Sequence, residues 1–291
     1  GVGEITNDID RQIQLSSILS SYVLEEEATA ISAFEQIVGN QKADLQNLGI
    51  LASMQLRSGE YGNAEETIRK ILEVAPKRAF GQNMLGSLYY RTGKYNQAIT
   101  AYDQALLRNK NYGAALKNRA LAFMALGNFA EMEQDIRAFV RDNPSDMRAL
   151  ALLAKALLEQ NLAAKLGEAV SLFETVFVSF QGDVDLAVDY ARALDRSGQR
   201  QSAITLLRKV ARQSVPTSKL GDLGEQLLKM NAFAPASGVL SRYRVAGDNP
   251  FRANFLYGQA LLKSKLNAGA LSAFKQAVKL TSDQETLKQL N

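Results

Sequence analysis

The chain has no cysteine, no histidine and no tryptophan among its 291 residues, and only five prolines. Without cysteine there is no disulfide, no thiolate nucleophile, no iron–sulfur cluster and no thiolate zinc site. Without histidine there is no imidazole metal ligand and no Ser-His or Cys-His nucleophile pair. The commonest general base is missing as well. Asp, Glu, Lys, Tyr and Ser remain, yet the sequence reads as non-catalytic, with no cofactor, no metal and no small-molecule substrate. No apolar run approaches the roughly 18–20 residues that span a bilayer. The opening GVGEITNDID is neither a signal peptide nor a basic amphipathic leader. No Ser/Gly linker divides the chain, and no charge block reads as a disordered tail. The 34 basic and 30 acidic side chains leave a net charge of +4, a mild bias that does not by itself imply nucleic acid.

What is present is a nearly continuous helical pattern. Hydrophobic residues make up 46% of the chain, enough for a packed core. They recur at spacings of three and four almost throughout, with short polar breaks. The pattern also repeats itself. With a register begun at Ala79, Leu85-Gly86 falls at positions 7–8, Tyr89 at 11, Gly93 at 15, Ala98 at 20, Tyr102 at 24 and Ala105 at 27. From Gly113, the residues Ala120, Phe123, Gly127, Ile136 and Pro144 fall at positions 8, 11, 15, 24 and 32. From Leu45 the equivalent places hold Leu51-Ala52, Gly59, Ala64, Ile68, Ile71 and Pro76, so the period is 34 residues in all three.

The same places recur with more drift in Met147–Asp183, Val184–Pro216, Thr217–Pro250 and Phe251–Gln284. A degenerate first unit covers 11–44. Each unit predicts two antiparallel helices of about four turns joined near position 15. There Gly59, Gly93, Gly127, Gly198, Asn161 and Asn231 suit a left-handed helix end. Small residues at positions 8 and 20 allow close helix approach, and bulky residues at 4, 7, 11 and 24 fill the space between. Pro76 and Pro144 stop second helices. Asn63 with Glu66 reads as a capping pair for a second helix, and Ser282 with Glu285 as one for a terminal helix over 283–291. Three extra residues in the fourth unit are placed around Leu162–Gly167, as an extended helix end.

This pattern resembles the tetratricopeptide repeat (TPR) family. The motif W-x2-L-G-x2-Y…A-x3-F…P stands here as Gln82, Leu85, Gly86, Tyr89, Ala98 and Tyr102, with Lys110 at the usual proline. The resemblance covers about residues 11–284, most closely 45–146. It implies an all-α, right-handed superhelical solenoid of about eight antiparallel helix pairs, in one domain over 1–291. First helices would line the concave face and second helices the convex one.

In the family, positions 2, 5, 6, 9, 12 and 13 of the first helix face the concave groove. The three clearest units then present Ile50, Ser53, Leu56 and Arg57; Phe80, Asn83, Met84, Ser87, Tyr90 and Arg91; and Lys117, Asn118, Leu121 and Met124. Arg148 and Lys155 follow. This stretch is apolar and aromatic with basic charges only. Phe80, Met84 and Tyr90 are expected as anchors, and Arg91, Lys117 and Lys155 as holders of acidic groups. Further along, Asp185, Asp189, Arg192, Asp195, Arg196, Asp222 and Glu225 make a mixed stretch leaning acidic. The implied function is a scaffold that binds a protein or peptide partner in the groove. The two-carboxylate clamp by which some TPR domains grip chaperone C-termini is incomplete. In one register its five places hold Asn83, Ser87, Asn118, Ala151 and Lys155, and only Asn118 and Lys155 fit.

Three other readings compete. Gly93-Lys94 lacks the upstream GxxxxGK frame and follows a helix, so it is no phosphate loop. Asp185 and Asp189 share a helix face and are expected to be surface acids rather than a catalytic pair. A helical-repeat RNA-binding protein has a near-identical period, but positions 8 and 20 fit the protein-binding family, and acids in the groove repel phosphate. A spacer section of a larger protein is the third alternative. The repeat run also resembles stacks found in bacterial envelope assembly and secretion proteins, which points to the periplasm or envelope, with the cytoplasm as alternative. Neither terminus carries a full polar cap, so the ends are expected to continue a longer solenoid or to self-associate.

Overall fold

The computed structural model describes residues 44–246 and 249–281, together with Ile31, Ser32 and Glu35. The first unit expected over 11–44 and the terminal helix expected from Ser282 therefore lie almost wholly outside the described residues. Fourteen helices form among them, and no strand. They are α1 Leu45–Ser58, α2 Tyr61–Val74, α3 Ala79–Arg91, α4 Tyr95–Arg108, α5 Gly113–Ala125, α6 Phe129–Asp142, α7 Met147–Glu159, α8 Ala163–Phe177, α9 Val184–Arg196, α10 Arg200–Ala211, α11 Thr217–Lys229, α12 Phe233–Ala246, α13 Pro250–Lys263 and α14 Asn267–Thr281. They pair as seven helical hairpins in tandem, the all-α architecture of TPR solenoids. The chain divides into two compact units, with the boundary between Ala149 and Leu150, inside α7.

The local signals act as the repeat register requires. Gly59, Gly93, Gly127 and Gly198 have φ between 74° and 86°, and Asn161 and Asn231 adopt φ of 54° and 60°. A residue with φ near these values stops the helix and turns the chain. Lys265, at the same register position, takes φ 64° although a lysine carries no sequence signal for it. Four first helices, α1, α7, α9 and α13, are capped by the side chain just before them. Asp44, Asp146, Asp183 and Asn249 accept from backbone N–H groups of Gln46, Ala149, Leu186 and Arg252 at 2.8–3.2 Å, satisfying donors that the helix leaves unpaired. Second helices α2 and α6 end at Val74 and Asp142, ahead of Pro76 and Pro144.

Two local expectations are corrected. Asn63 does not cap α2: the helix begins at Tyr61, and the Asn63 amide donates to Glu60 Oε2 at 2.9 Å. The extra residues of the fourth unit do not lengthen the turn near Leu162. Helix α8 begins at Ala163, as far beyond the start of α7 as α2, α4 and α6 lie beyond their partners. The three extra residues fall later: α8 has fifteen residues where α2, α4 and α6 have fourteen, and the connection over 178–183 has six where the earlier units use four. Keeping Leu166, Phe173 and Val176 buried fixes the register of α8, and the end of α8 and the solvent-facing connection absorb the difference.

Each compact unit has its own core. In the first, Leu48, Met54, Ile68, Ile71, Phe80 and Met84 pack between α1, α2 and α3. In the second, Leu194, Leu207, Leu223, Leu227, Leu240 and Tyr243 do the same between α9 and α12. Hairpin closure depends on the small residue at position 8. Gly86 lies against the ring of Tyr102, Gly224 against Leu240 and Gly258 against Phe274, each pairing position 8 with position 24 of the same repeat. No hairpin buries its apolar face alone, so neighbouring hairpins share these cores.

The register also carries one substitution with structural weight. Position 7 holds Leu51, Leu85 and Leu153 elsewhere but Arg119 on α5. Its guanidinium binds both oxygens of Asp135 on α6, at 2.8 and 2.6 Å, and Asp103 on α4 at 2.5 Å. It also sits 5.7 Å from the ring centre of Phe123. An ion triad thus ties two consecutive hairpins where the repeats on either side carry leucine.

Candidate groove on the first helices

Residues at positions 2, 5, 6, 9, 12 and 13 share one face of a helix because they lie three or four residues apart. In the first compact unit α1, α3 and α5 turn this face to a common depression. One cavity, of about 780 Å³, is walled by Ser53, Phe80, Asn83, Met84, Ser87, Leu116, Lys117 and Asn118. The loop before α5 adds Asn111 and Tyr112, and Phe139, Asp142, Asn143 and Asp146 close it at the end of α6. A second, of about 300 Å³, is walled by Ser53, Leu56, Arg57, Met84, Ser87, Tyr90, Arg91, Tyr102, Asn118 and Leu121. The two share Ser53, Met84, Ser87 and Asn118, so they are halves of one groove.

The groove floor is an amide and hydroxyl network. Asn118 Nδ2 donates to Asn83 Oδ1 at 3.1 Å, joining α5 to α3. Ser87 Oγ donates to the Asn83 carbonyl at 3.0 Å. The buried hydroxyl of Tyr102 lies behind Ser87, to which it donates at 3.5 Å, and burial pushes its pKa up to about 12. Tyr90 packs on Tyr95 with ring centres 5.5 Å apart, which holds its ring at the groove mouth.

Charge in the groove differs from the sequence expectation of basic groups only. Lys117 donates to Asp146 at 3.3 Å and lies 5.4 Å from the ring centre of Phe139. Asp146 is also the cap of α7. Burial pushes its carboxyl up, but the Ala149 N–H, Lys117 and the Arg148 N–H outweigh this and hold it below its usual 3.8. Arg91 is exposed and has no ion-pair partner among the described residues. The acidic rim from Asp142 and Asp146, and the wall from Asn111, Tyr112 and Phe139, come from second-helix ends and connecting loops. Reading first-helix positions alone misses them; the turn residues Asn111-Tyr112 are the signal that could have found them.

Of the other expected groove residues, Arg148 is exposed but belongs to neither cavity wall. Lys155, Asp189 and Arg192 lie in the second compact unit, bound to each other. Lys155 meets Asp189 at 3.0 Å, and Arg192 meets Asp189 at 2.9 Å and Glu159 at 2.7 and 3.1 Å. Similar bridges join successive first helices: Lys219 to Asp185 at 2.7 Å, and Arg252 to Asp222 at 2.9 Å and Glu225 at 2.7 Å. Asp195 pairs with Arg200 at 2.6 Å. Each acid expected on this face thus has a basic partner, and the stretch is balanced rather than acidic. Asp185 and Asp189 are bound to different cations.

Comparison with known proteins agrees with the fold. The sequence profile of the tetratricopeptide repeat matches residues 83–135 and 118–165. The mitochondrial import receptor subunit TOM70 of Rattus norvegicus is 34% identical over 110 residues, 36% of this chain and 17% of that protein. The TPR repeat-containing thioredoxin TTL4 of Arabidopsis thaliana is 34% identical over 96 residues, 33% of this chain and 13% of that protein. The chain spans less than a fifth of the length of these curated relatives. The crystal structure of a tetratricopeptide repeat protein from Parabacteroides merdae is similar with a TM-score of 0.57 at 20% identity, covering 88% of this chain and 99% of that one. A chain of the APC/C hetero-tetramer Cut9–Hcn1 is similar with a TM-score of 0.57 at 14% identity, covering 92% and 52%. At these identities the structural likeness shows the fold. The profile match identifies tetratricopeptide repeats over residues 83–165, and the tandem helix pairs on either side resemble them in register and fold.

Proposed function

We propose that the protein is a non-catalytic scaffold that binds an extended segment of a protein partner in the groove formed by α1, α3 and α5. Tetratricopeptide repeats are in general non-catalytic interaction scaffolds, which supports the coarse reading. The finer reading rests on one observation: Asn83 and Asn118, joined at 3.1 Å, form a polar floor flanked by Phe80, Met84 and Tyr90. An extended peptide offers backbone N–H and C=O groups that amides can meet, and apolar side chains that such flanks can hold. Arg91 at one part of the groove and Asp142 at another are placed to take opposite charges, which would fix the peptide's direction.

The proposal extends to bacterial cell-envelope assembly or secretion, on the likeness of the degenerate repeat run. The coding sequence upstream of Gly1 decides that part: a signal peptide with a lipid-attachment cysteine supports it, and a cytoplasmic start overturns it. The binding reading is tested by selecting a displayed random-peptide library on the immobilised chain. The expected result is a convergent peptide family that a Ser87→Trp variant, with its groove filled, does not retain. A library that fails to converge, or peptides that bind the filled variant equally well, would overturn the reading.

A further inference from the structure

The net charge of the whole chain, +4, conceals a strong asymmetry. Residues 200–281 hold thirteen basic and three acidic side chains. Two of those acids, Asp222 and Glu225, lie on the first helix α11 and are bound by Arg252 and Lys229. The second helices of this stretch, α10, α12 and α14, contain no carboxylate at all. They carry Arg200, Arg208 and Lys209, then Arg242 and Arg244, then Lys275 and Lys279, all exposed. The repeat register aligns them: Arg208 and Lys275 at position 25, Lys209 and Arg242 at 26, Arg212 and Lys279 at 29. In α2, α4, α6 and α8 the second helices carry carboxylates.

The cations are also gathered in space. Arg208, Lys209 and Arg212 surround a hollow of about 240 Å³ whose remaining wall is Thr205. Arg242 donates to the Ala211 carbonyl, bringing α12 to the end of α10. Favourable interaction with the α10 dipole accounts for cations in its last turn. It does not account for three consecutive second helices without an acid. Exposed aliphatic side chains accompany the cations: Val245 is 86% exposed and Leu271 56%.

We propose that the solvent face of α10, α12 and α14 docks on an anionic lipid bilayer, separately from the groove of the first compact unit. The charge complementarity is that of a polybasic face and acidic headgroups. Each cation near such a surface strengthens partition by about fivefold, and the exposed aliphatics enter the headgroup boundary. Single-stranded nucleic acid is the less favoured anion because it requires exposed rings for base stacking. Beside these cations Tyr243 is buried and Tyr257 is half-buried under Arg244, 5.0 Å from its ring centre, while the exposed Phe255 lies on the first helix α13.

The test is co-sedimentation of the full chain with phosphatidylcholine vesicles and with mixed phosphatidylcholine–phosphatidylglycerol vesicles, beside a fluorescent single-stranded RNA. The expected result is association with the mixed vesicles only, reversed by high salt. The combined variant Arg208→Glu, Lys209→Glu, Arg212→Glu is expected to bind at least roughly a hundredfold more weakly. The corresponding Gln substitutions, checked by circular dichroism, keep the result independent of any folding defect. Ser87→Trp is expected to bind vesicles as the parent does. Failure to bind anionic vesicles at low salt, equal binding by the Gln variant, or binding to RNA without binding to vesicles would each overturn the proposal.

Discussion

The Cα of Gly86 rests against the ring of Tyr102, leaving no space for a methyl group between α3 and α4. A Cβ there enters the ring, which is itself 1% exposed and cannot swing away. Overpacking of this kind costs about 1–3 kcal/mol, more than the roughly 1 kcal/mol that Ala gains over Gly as a helix former. Gly86→Ala should therefore lower the thermal midpoint. Gly62, in α2 with nothing within 4 Å of a built Cβ, should behave oppositely and raise it. Calorimetry on the two variants checks both signs.

The Arg119 triad predicts a pH-dependent defect. Burial pushes the Asp135 carboxyl above its ordinary 3.8, against the pull of Arg119. Asp135 is 6% exposed, so removing its guanidinium leaves a nearly buried charge, at a cost of about 3 kcal/mol. Its folded-state pKa lies above the unfolded value, so its ionisation subtracts stability as pH rises through that interval. Without Arg119 the interval widens upward. Arg119→Ala should be far less stable than the parent at pH 7 and much closer to it near pH 4, by urea unfolding at both. Arg119→Leu with Asp135→Leu should recover most of the loss, since an apolar replacement of an ion pair is often neutral.

Glu225 should report the ion-pair ladder of the second compact unit. Hydrogen bonds from Arg252 and Lys229 hold its carboxyl below the usual 4.5. A depressed folded pKa contributes stability present above the unfolded value and lost as pH falls through the folded one. The stability difference between the parent and Arg252→Gln should thus be present at pH 7 and vanish in acid below that range. The side chain is partly exposed, so the difference is expected to shrink with salt. A carboxyl carbon-13 titration checks the site directly: its midpoint should rise toward the ordinary value in Arg252→Gln.

Repeat architecture was legible in the sequence because it is written in residues with few substitutes. A left-handed helix end selects Gly or Asn, as at Gly93 and Asn161, and close helix approach selects a small residue, as at Gly86. Where another residue can meet the same need the signal fades. Lys265 takes the left-handed turn without advertising it, and the extra length in the fourth unit could be placed only once Leu166 and Phe173 showed which residues of α8 are buried. The groove was half legible. Phe80, Asn83, Met84, Ser87, Tyr90, Arg91, Lys117, Asn118 and Leu121 stand at the groove positions that the family resemblance implies, and they do line it. Asp142 and Asp146 reach it from the end of one hairpin and the start of the next, a proximity that periodicity within one helix does not encode. The cross-repeat pairing of Asp189 with Lys155 is hidden for the same reason.

Groove binding is the central claim, and affinity in a filled groove tests it most directly. Ser87 borders both cavities, so Ser87→Trp fills the groove, and it also removes the acceptor of the Tyr102 hydroxyl, which donates to Ser87 at 3.5 Å. Titration calorimetry of a library-selected peptide, at a temperature where circular dichroism shows the variant folded, should show affinity weakened by at least about tenfold, a loss of about 1.4 kcal/mol. An equal dissociation constant in the parent and in Ser87→Trp would contradict the account.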